Sequence, residues 1–300
     1  MMQEDSRYAS VRIAAKLWRR MFLREQWFLH VDQYGADPMN PDMASGFDLV
    51  PPRDRFWADP FLWFKDGRRV VFVEELPYAT NKGHITAIEF DDRGRVLSSK
   101  IALEAHSHLS YPFLFEWDSM LWMLPESGQS GRVTLYRCAR FPDKWVAEKV
   151  LMDNVQTADP TLFEHRGLWW LFMTVAVEGR GIHERLCLYF GESPLGPFTP
   201  HPRNPVVHAA RGARPAGVIF EQDGSLFRPA QDCSGLYGKR VVVKRIEVLT
   251  PDEFVESAYG CIEPCWRPDV LRTHHLSVKD GWRVVDALRH LRRWSSDQCG

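Results

Sequence analysis

Asp59 and Asp159 are each followed by a proline and an apolar run, in Ala58-Asp59-Pro60-Phe61-Leu62-Trp63 and Ala158-Asp159-Pro160-Thr161-Leu162-Phe163. Proline has no N–H to give to a sheet ladder and is tolerated at the first residue of a strand, not in its middle. Both carboxylates are therefore expected at strand entrances, on the rim of whatever those strands surround. A single aspartate there commonly does no more than cap a turn. Two in equivalent settings point to a shared site. Glutamates close the apolar stretches Phe72-Val73-Glu74-Glu75 and Met123-Leu124-Pro125-Glu126-Ser127. Each is either a solvated strand end or a pocket carboxylate, and alternation lets only one of Glu74 and Glu75 face inwards.

Other residue types suit the binding of a ligand. Trp57, two residues before Asp59, is placed to stack on a sugar ring. Arg214 stands where a further carboxylate would be expected, and Arg228, Gln231 and Asp232 follow it. Two arginines aimed at one pocket suit a carboxylate or phosphate, because guanidinium binds both bidentately. Alternatively they pair with Asp59 or Asp159 and hold the site together. His274 and His275 precede a short apolar run, and Asp286 ends the next. A histidine there can be an acid, a base, a ligand or a satisfied structural group. There is no G-x-G-x-x-G, Walker A, H-E-x-x-H or G-x-S-x-G motif, and no cofactor or metal is expected.

A repeat positions these residues. Ala58-Asp59-Pro60, Ser110-Tyr111-Pro112, Ala158-Asp159-Pro160 and Arg214-Pro215-Ala216-Gly217 each lead into an apolar run, a Gly or Asp turn and a second aromatic-rich run. The starts at Asp59, Tyr111, Asp159 and Arg214 are 52, 48 and 55 residues apart. A period of roughly 50 with short strands in each unit reads as blades of a β-propeller. A fifth, degenerate unit holds His274-His275-Leu276-Ser277-Val278 and Trp282 to Asp286. Its outer strands are missing, and a ring must close to remove exposed edges. The expected fold is all-β: a five-bladed propeller of four-stranded blades, the last closed by an N-terminal strand near Phe28–Val31. In such a ring Asp59, Tyr111, Asp159, Arg214 and His274 converge on one axial cavity. Asp37 to Pro52 reads as loop. Residues 1–26 read as a short N-terminal helix, with Ile13, Ala14, Leu17, Trp18, Met21 and Phe22 at helical spacing between basic residues. That helix packs on the propeller or offers a basic surface contact. The expected divisions are 1–26 for this segment, 27–290 for the propeller and 291–300 for a tail, the stretch from Leu288 reading as a short helix.

The chain has 300 residues, with 12 Trp and 18 Phe for a core and a net charge of −1. No global field attracts nucleic acid, so a nucleic-acid partner is not expected. The 6 cysteines form no C-x-x-C pair, which fits isolated thiols in a reducing compartment. Residues 1–10 carry charges and no apolar leader, and Lys16, Arg19 and Arg20 break the run from Val11 to Leu23. No signal peptide or transmembrane segment is read there, and a cytoplasmic location is expected.

The Asp-Pro blade heads, the aromatic second strands and Ser193-Pro194-Leu195-Gly196-Pro197-Phe198 resemble the five-bladed propeller glycosidases of the arabinanase, xylosidase and fructosidase group. Further strings narrow the resemblance: Trp57-Ala58-Asp59-Pro60-Phe61-Leu62, Leu124-Pro125-Glu126-Ser127, Ala213-Arg214-Pro215-Ala216-Gly217 and Arg228-Pro229-Ala230-Gln231-Asp232. They are similar to the propeller domain at the N-terminus of plant glucosamine inositolphosphorylceramide transferases and its stand-alone bacterial relatives. The resemblance implies a carbohydrate-active pocket that cleaves or transfers a glycosyl unit. Asp59 would be the base or nucleophile and Asp159 the tuning carboxylate, with Glu126 the candidate acid and Glu75 the other glutamate that could substitute from another blade. Trp57, Glu75, Tyr111, Arg214, Arg228, Gln231, His274 and Asp286 would bind the substrate. The ligand would be a sugar, sugar nucleotide or glycoconjugate. The glycosidase group's acid, a fourth-blade glutamate, is replaced here by the Arg214 segment. That departure leaves two alternatives open: a binding module without chemistry, and a biosynthetic enzyme acting on a sugar nucleotide or natural product.

Overall fold

The computed structural model describes residues 21–35, 37–39, 43, 45–177 and 181–293. They form five antiparallel sheets, ordered outwards from the axis as propeller blades. Blade 1 comprises Arg55–Lys65, Arg68–Pro77, His84–Phe90 and Val96–Leu103. Blade 2 comprises Ser110–Trp117, Met120–Glu126, Arg132–Arg140 and Lys144–Asp153. Blade 3 comprises Thr157–His165, Leu168–Val175, Arg185–Gly191 and the short Thr199–Pro200, with Val207–His208 also paired to its third strand. Blade 4 comprises Arg211–Pro215, Ser225–Asp232, Arg240–Leu249 and Phe254–Ile262, with Phe220–Gln222 joining the second.

Blade 5 closes the ring with two strands from each end of the chain. Leu276–Lys279 and Trp282–Arg292 lie inside; Leu23–Gln33 and Phe47–Leu49 lie outside. Closure thus takes one N-terminal strand more than expected. Phe47–Leu49, read as loop because proline-rich segments flank it, pairs with Leu29–Val31. The N-terminal strand is also longer than its apolar kernel, pairing from Leu23 with Arg292 to Gln33 with Trp282. Its first residues, Leu23–Gln26, are strand where helix was expected; of the rest of that segment only Met21 and Phe22 are described, as two helical residues, and residues 1–20 lie outside the described residues. Leu288–Arg292, also expected to be helical, is strand, held in register by the N-terminal strand.

The apolar faces pack between blades. Phe72 and Val70 of blade 1 join Phe113, Leu124 and Leu135 of blade 2 and Leu171 of blade 3 in the largest cluster. Leu29, Val71, Ile88 and Trp282 seal blade 5 against blade 1. Each second strand is buried on both faces, which is why Val70–Val73 reads as a continuous apolar run and not an alternation. Among the described residues, no helix is long and apolar enough to cross a membrane.

Candidate active site on the propeller axis

The repeat is also a repeat of backbone strain. The ladder between first and second strands skips between Ala58 and Phe61, Ser110 and Phe113, Ala158 and Thr161, and Arg211 and Pro215. Asp59, Tyr111 and Asp159 have φ of 51°, 46° and 53°, and Gly217 has 127°. The Asp-Pro pairs are thus inside their strands, not at the entrance. A bulge removes the ladder bond that proline cannot make and re-aims the side chain before it. A left-handed non-glycine residue costs roughly 1–2 kcal/mol, so something must hold each one. For Tyr111 it is the hydroxyl, 2.7 Å from Thr161 Oγ1 and accepting the Gly217 N–H at 2.9 Å.

Asp59 is held by blade 5. His274 lies between two carboxylates, with Nδ1 2.9 Å from Asp286 and Nε2 3.2 Å from Asp59. Asp286 also accepts the N–H groups of His274 and His275, at 2.8 and 3.1 Å. Burial alone would push the His274 imidazole down; Asp286 and Asp59 outweigh it and hold the ring well above its ordinary value, charged. Burial likewise works against ionised Asp59, but His274, with His275 and Arg214, brings its carboxyl down to about 2. The sequence left His274 open as acid, base, ligand or structural group; the geometry makes it a cationic brace. The facing ligand atoms of Asp59, His274 and Asp286 lie within 4.8 Å of one another, as a metal site would require. The imidazolium already stands between the carboxylates, where a cation would sit.

The opposite wall is built on Arg214. Its Nε and Nη2 donate to Asp159 at 2.5 and 3.1 Å, and Nη2 also to Glu126 at 3.3 Å. Gln231 Nε2 donates to Asp159 at 2.9 Å, and the Asp159 N–H to Glu126 at 3.1 Å. Asp159 is fully buried, whereas 18% of the Glu126 side chain reaches the pocket. Enclosure pushes the Glu126 carboxyl well up; Arg214 opposes this, while Asp159 and Asp59 reinforce it.

Between these walls is a cavity of about 220 Å³ lined by Trp27, Phe56, Asp59, Glu74, Glu126, Arg214, Tyr237 and His274, with Ala58, His108 and Ser110 completing it. Alternation sends Glu74 inwards, next to His108 at 3.0 Å. Burial raises the Glu74 carboxyl despite that contact.

Four of the expected binding residues are directed elsewhere. Glu75 faces out of the pocket, taking bonds from Trp57 Nε1 at 2.7 Å and Arg55 at 2.8 Å, with His84 at 3.2 Å. Trp57 therefore stacks in the core with Leu29 and Val71, not on a ligand. Arg228 is committed to Glu256 and the Gly212 carbonyl. Tyr111 lies beneath the pocket with Phe61 and His275, ring centroids 5.0 and 5.3 Å away. Gln231 and Asp286 stand behind Asp159 and His274 and position them. The sequence reading missed Trp27, Phe56, His108 and Tyr237. Trp27 lies edge-on to His274 at 4.3 Å, and Tyr237 comes from a blade 4 turn that covers Arg214 at 5.3 Å. Neither carries a repeat signal, since a closing strand and a loop bring them in.

Five blades around an axial cluster of carboxylates define the class: a propeller of the architecture found among glycoside hydrolases. A family 117 glycoside hydrolase from the marine bacterium Zobellia galactanivorans superposes with a TM-score of 0.54 and 13% identity, over 89% of this chain and 90% of that one. The RS223 β-xylosidase gives 0.57 and 10%, over 81% and 94%. The catalytic domain of a Coprinopsis cinerea GH62 α-L-arabinofuranosidase gives 0.56 and 13%, over 79% and 92%. At such identities the likeness is one of fold. Residues 41–280 match the family described as "Glucosamine inositolphosphorylceramide transferase 1, N-terminal", and the chain belongs to it. It is 38% identical to glucosamine inositolphosphorylceramide transferase 1 of Oryza sativa subsp. japonica over 243 residues, 77% of this chain and 32% of that protein. The Arabidopsis thaliana protein of that name is 38% identical over 235 residues, 75% and 30%. The chain thus spans about a third of the length of these curated relatives.

Proposed function

We propose that the axial pocket binds one sugar residue of a glycoconjugate and carries out acid–base chemistry at its glycosidic bond. The observation that supports this most is the contrast in surroundings of two carboxyl groups on its walls: Asp59 lies against the His274 imidazole, and Glu126 is enclosed beside Arg214 and Asp159. Asp59 is held ionised at about 2, while Glu126 is pushed well above the ordinary range. Environments that split two carboxyl groups in this way provide a base and an acid together. Asp59 activates the attacking water or glycosyl acceptor. Glu126 protonates the leaving oxygen, and Arg214 and Asp159 set its position. The pocket, at about 220 Å³, is below the roughly 300–1,000 Å³ of drug-sized sites, which suits a single ring. Trp27, Phe56 and Tyr237 provide its apolar wall.

Nitrophenyl glycosides of pentoses and hexoses test this. Asp59→Asn and Glu126→Gln should each lower turnover by about 10²–10⁴-fold, the range of a general acid or base, with the sugar still bound. Normal turnover by both variants refutes the assignment. A second reading is a sugar-binding module without chemistry. Arg214 favours it, because it fills one wall with ion pairs to Asp159 and Glu126. Saturable sugar binding with no turnover by the unsubstituted protein would select that reading.

A further inference from the structure

A second cavity, also of about 220 Å³, lies near the axial pocket and is lined by Arg24, Arg53, Asp54, Leu291, Arg292 and Arg293. Ring closure assembles it. Leu23 pairs with Arg292 and Arg24 with Leu291, while Arg53 and Asp54 lead into the innermost strand of blade 1. Arg53 Nη2 donates to the Arg292 carbonyl at 2.7 Å, and Arg293 Nε to the Leu23 carbonyl at 3.3 Å. Arg24 lies over the Tyr78 ring at 4.3 Å. These contacts position the guanidinium groups of Arg24, Arg53 and Arg293 without neutralising them.

The nearby acids are already engaged. Asp54 takes two bonds from Arg55, at 2.9 and 3.1 Å, and Glu25 pairs with Arg272 at 3.1 Å. Among the described residues, none of the four cavity arginines forms an ion pair with a carboxylate. Arg55, Arg68, Arg214, Arg228 and Arg283 all do. Four guanidinium groups against one carboxylate, Asp54, leave the space with an excess of positive charge that attracts an anion. Guanidinium planes match phosphate oxygens two at a time. The volume is several times the roughly 30 Å³ share of one water, enough for a phosphate group and part of its hydration.

We infer that this arginine cavity is a phosphate-binding site. Arg24 and Trp27 are three residues apart on one strand, about 10 Å at roughly 3.3 Å per residue. Tyr78 bridges the gap, with its ring 6.3 Å from that of Phe56 on the axial pocket wall. A sugar in one cavity and a phosphate in the other can therefore belong to one molecule. That link, unlike the phosphate site itself, rests on the sugar reading above. Met21 and Phe22, 62% and 42% exposed, stand at the same edge, so the phosphate comes either from a soluble sugar phosphate or from a lipid headgroup.

Calorimetric titration of the full chain with inorganic phosphate and pyrophosphate tests the site. Saturable binding is expected, weakened about tenfold for each guanidinium lost. The variants are Arg53→Gln and the double Arg292→Gln/Arg293→Gln; each loses at most one exposed bond to a backbone carbonyl, so the protein stays folded and a melting curve of each variant confirms it. Glu126→Gln should bind phosphate normally, which separates failure here from failure of the sugar reading. Flotation with phosphatidylcholine vesicles, with and without phosphatidic acid, identifies the source. Capture only by the acidic vesicles, lost in both variants, assigns a lipid phosphate. Phosphate binding without capture assigns a soluble one. The inference is overturned if the protein shows no saturable binding of either anion, or if both variants bind undiminished.

Discussion

Replacing Arg214 with methionine tests whether the wall opposite Asp59 is one electrostatic unit. Asp159 has no exposure, and Arg214 supplies two of its charged bonds, at 2.5 and 3.1 Å. After Arg214→Met a single neutral donor remains, Gln231 at 2.9 Å. Breaking a buried ion pair by removing one partner costs about 3–5 kcal/mol. Only 9% of the Arg214 side chain reaches solvent, so water gives little relief. At about 2–4 °C per kcal/mol for domains of 150–250 residues, the melting midpoint should fall by roughly 6–20 °C. The 12 tryptophans report it by fluorescence, and urea unfolding at pH 7 gives the free energy. Asp159→Asn is the matched second change. Asparagine tolerates the φ of 53° and carries no charge that needs a partner. The double variant should therefore be more stable than the two single losses predict, by about 1.5 kcal/mol or more. A loss below about 1 kcal/mol for Arg214→Met, or strict additivity in the double variant, refutes the argument.

Glu126 has a folded pKa raised above its unfolded one, so its contribution is favourable while it is protonated and declines as pH rises from about 4.5 upwards. Glu126→Gln should therefore gain stability relative to the unsubstituted protein between pH 5 and 8 by denaturant titration; a parallel pair of pH profiles would contradict this. His274 is raised as well, and for a base the stabilisation is complete below its ordinary value near 6.5 and is lost only as pH climbs through the higher folded value. The deficit of His274→Gln should be largest in acid and shrink in alkali, and a deficit that grows with pH would show the imidazole to be neutral. Gly217→Ala would place a Cβ 1.8 Å from the Leu276 carbonyl at a φ of 127°, so blades 4 and 5 cannot both stay in place. Its soluble yield or melting midpoint should collapse, and a normal melting curve would show that the contact yields.

The amino-acid sequence carried the ring and its phase by itself. A spacing near 50 residues, with a proline beside each of four blade heads and a degenerate fifth unit at His274, indicated five blades and the convergence of Asp59, Asp159, Arg214 and His274, because local strand patterning is written in neighbouring residues. It also indicated that one blade draws on both ends of the chain. What it could not carry was anything set by contact between distant segments. Phe47–Leu49 is a strand only because Leu29–Val31 offers an open edge, and Leu288–Arg292 is extended only because Leu23–Gln33 pairs with it. The bulge that admits proline inside a strand decided that Asp59 is aimed by strain and not by a strand end. Side-chain partners decided the rest. Glu74 and not Glu75 faces the pocket, Trp57 and Arg228 are taken up by Glu75 and Glu256, and Trp27 and Tyr237 complete a wall that no repeat marks. The divergence of Asp59 and Glu126 belongs to the tertiary structure, because two carboxyl groups of similar ordinary acidity are driven apart only by the charges and burial that folding brings around them.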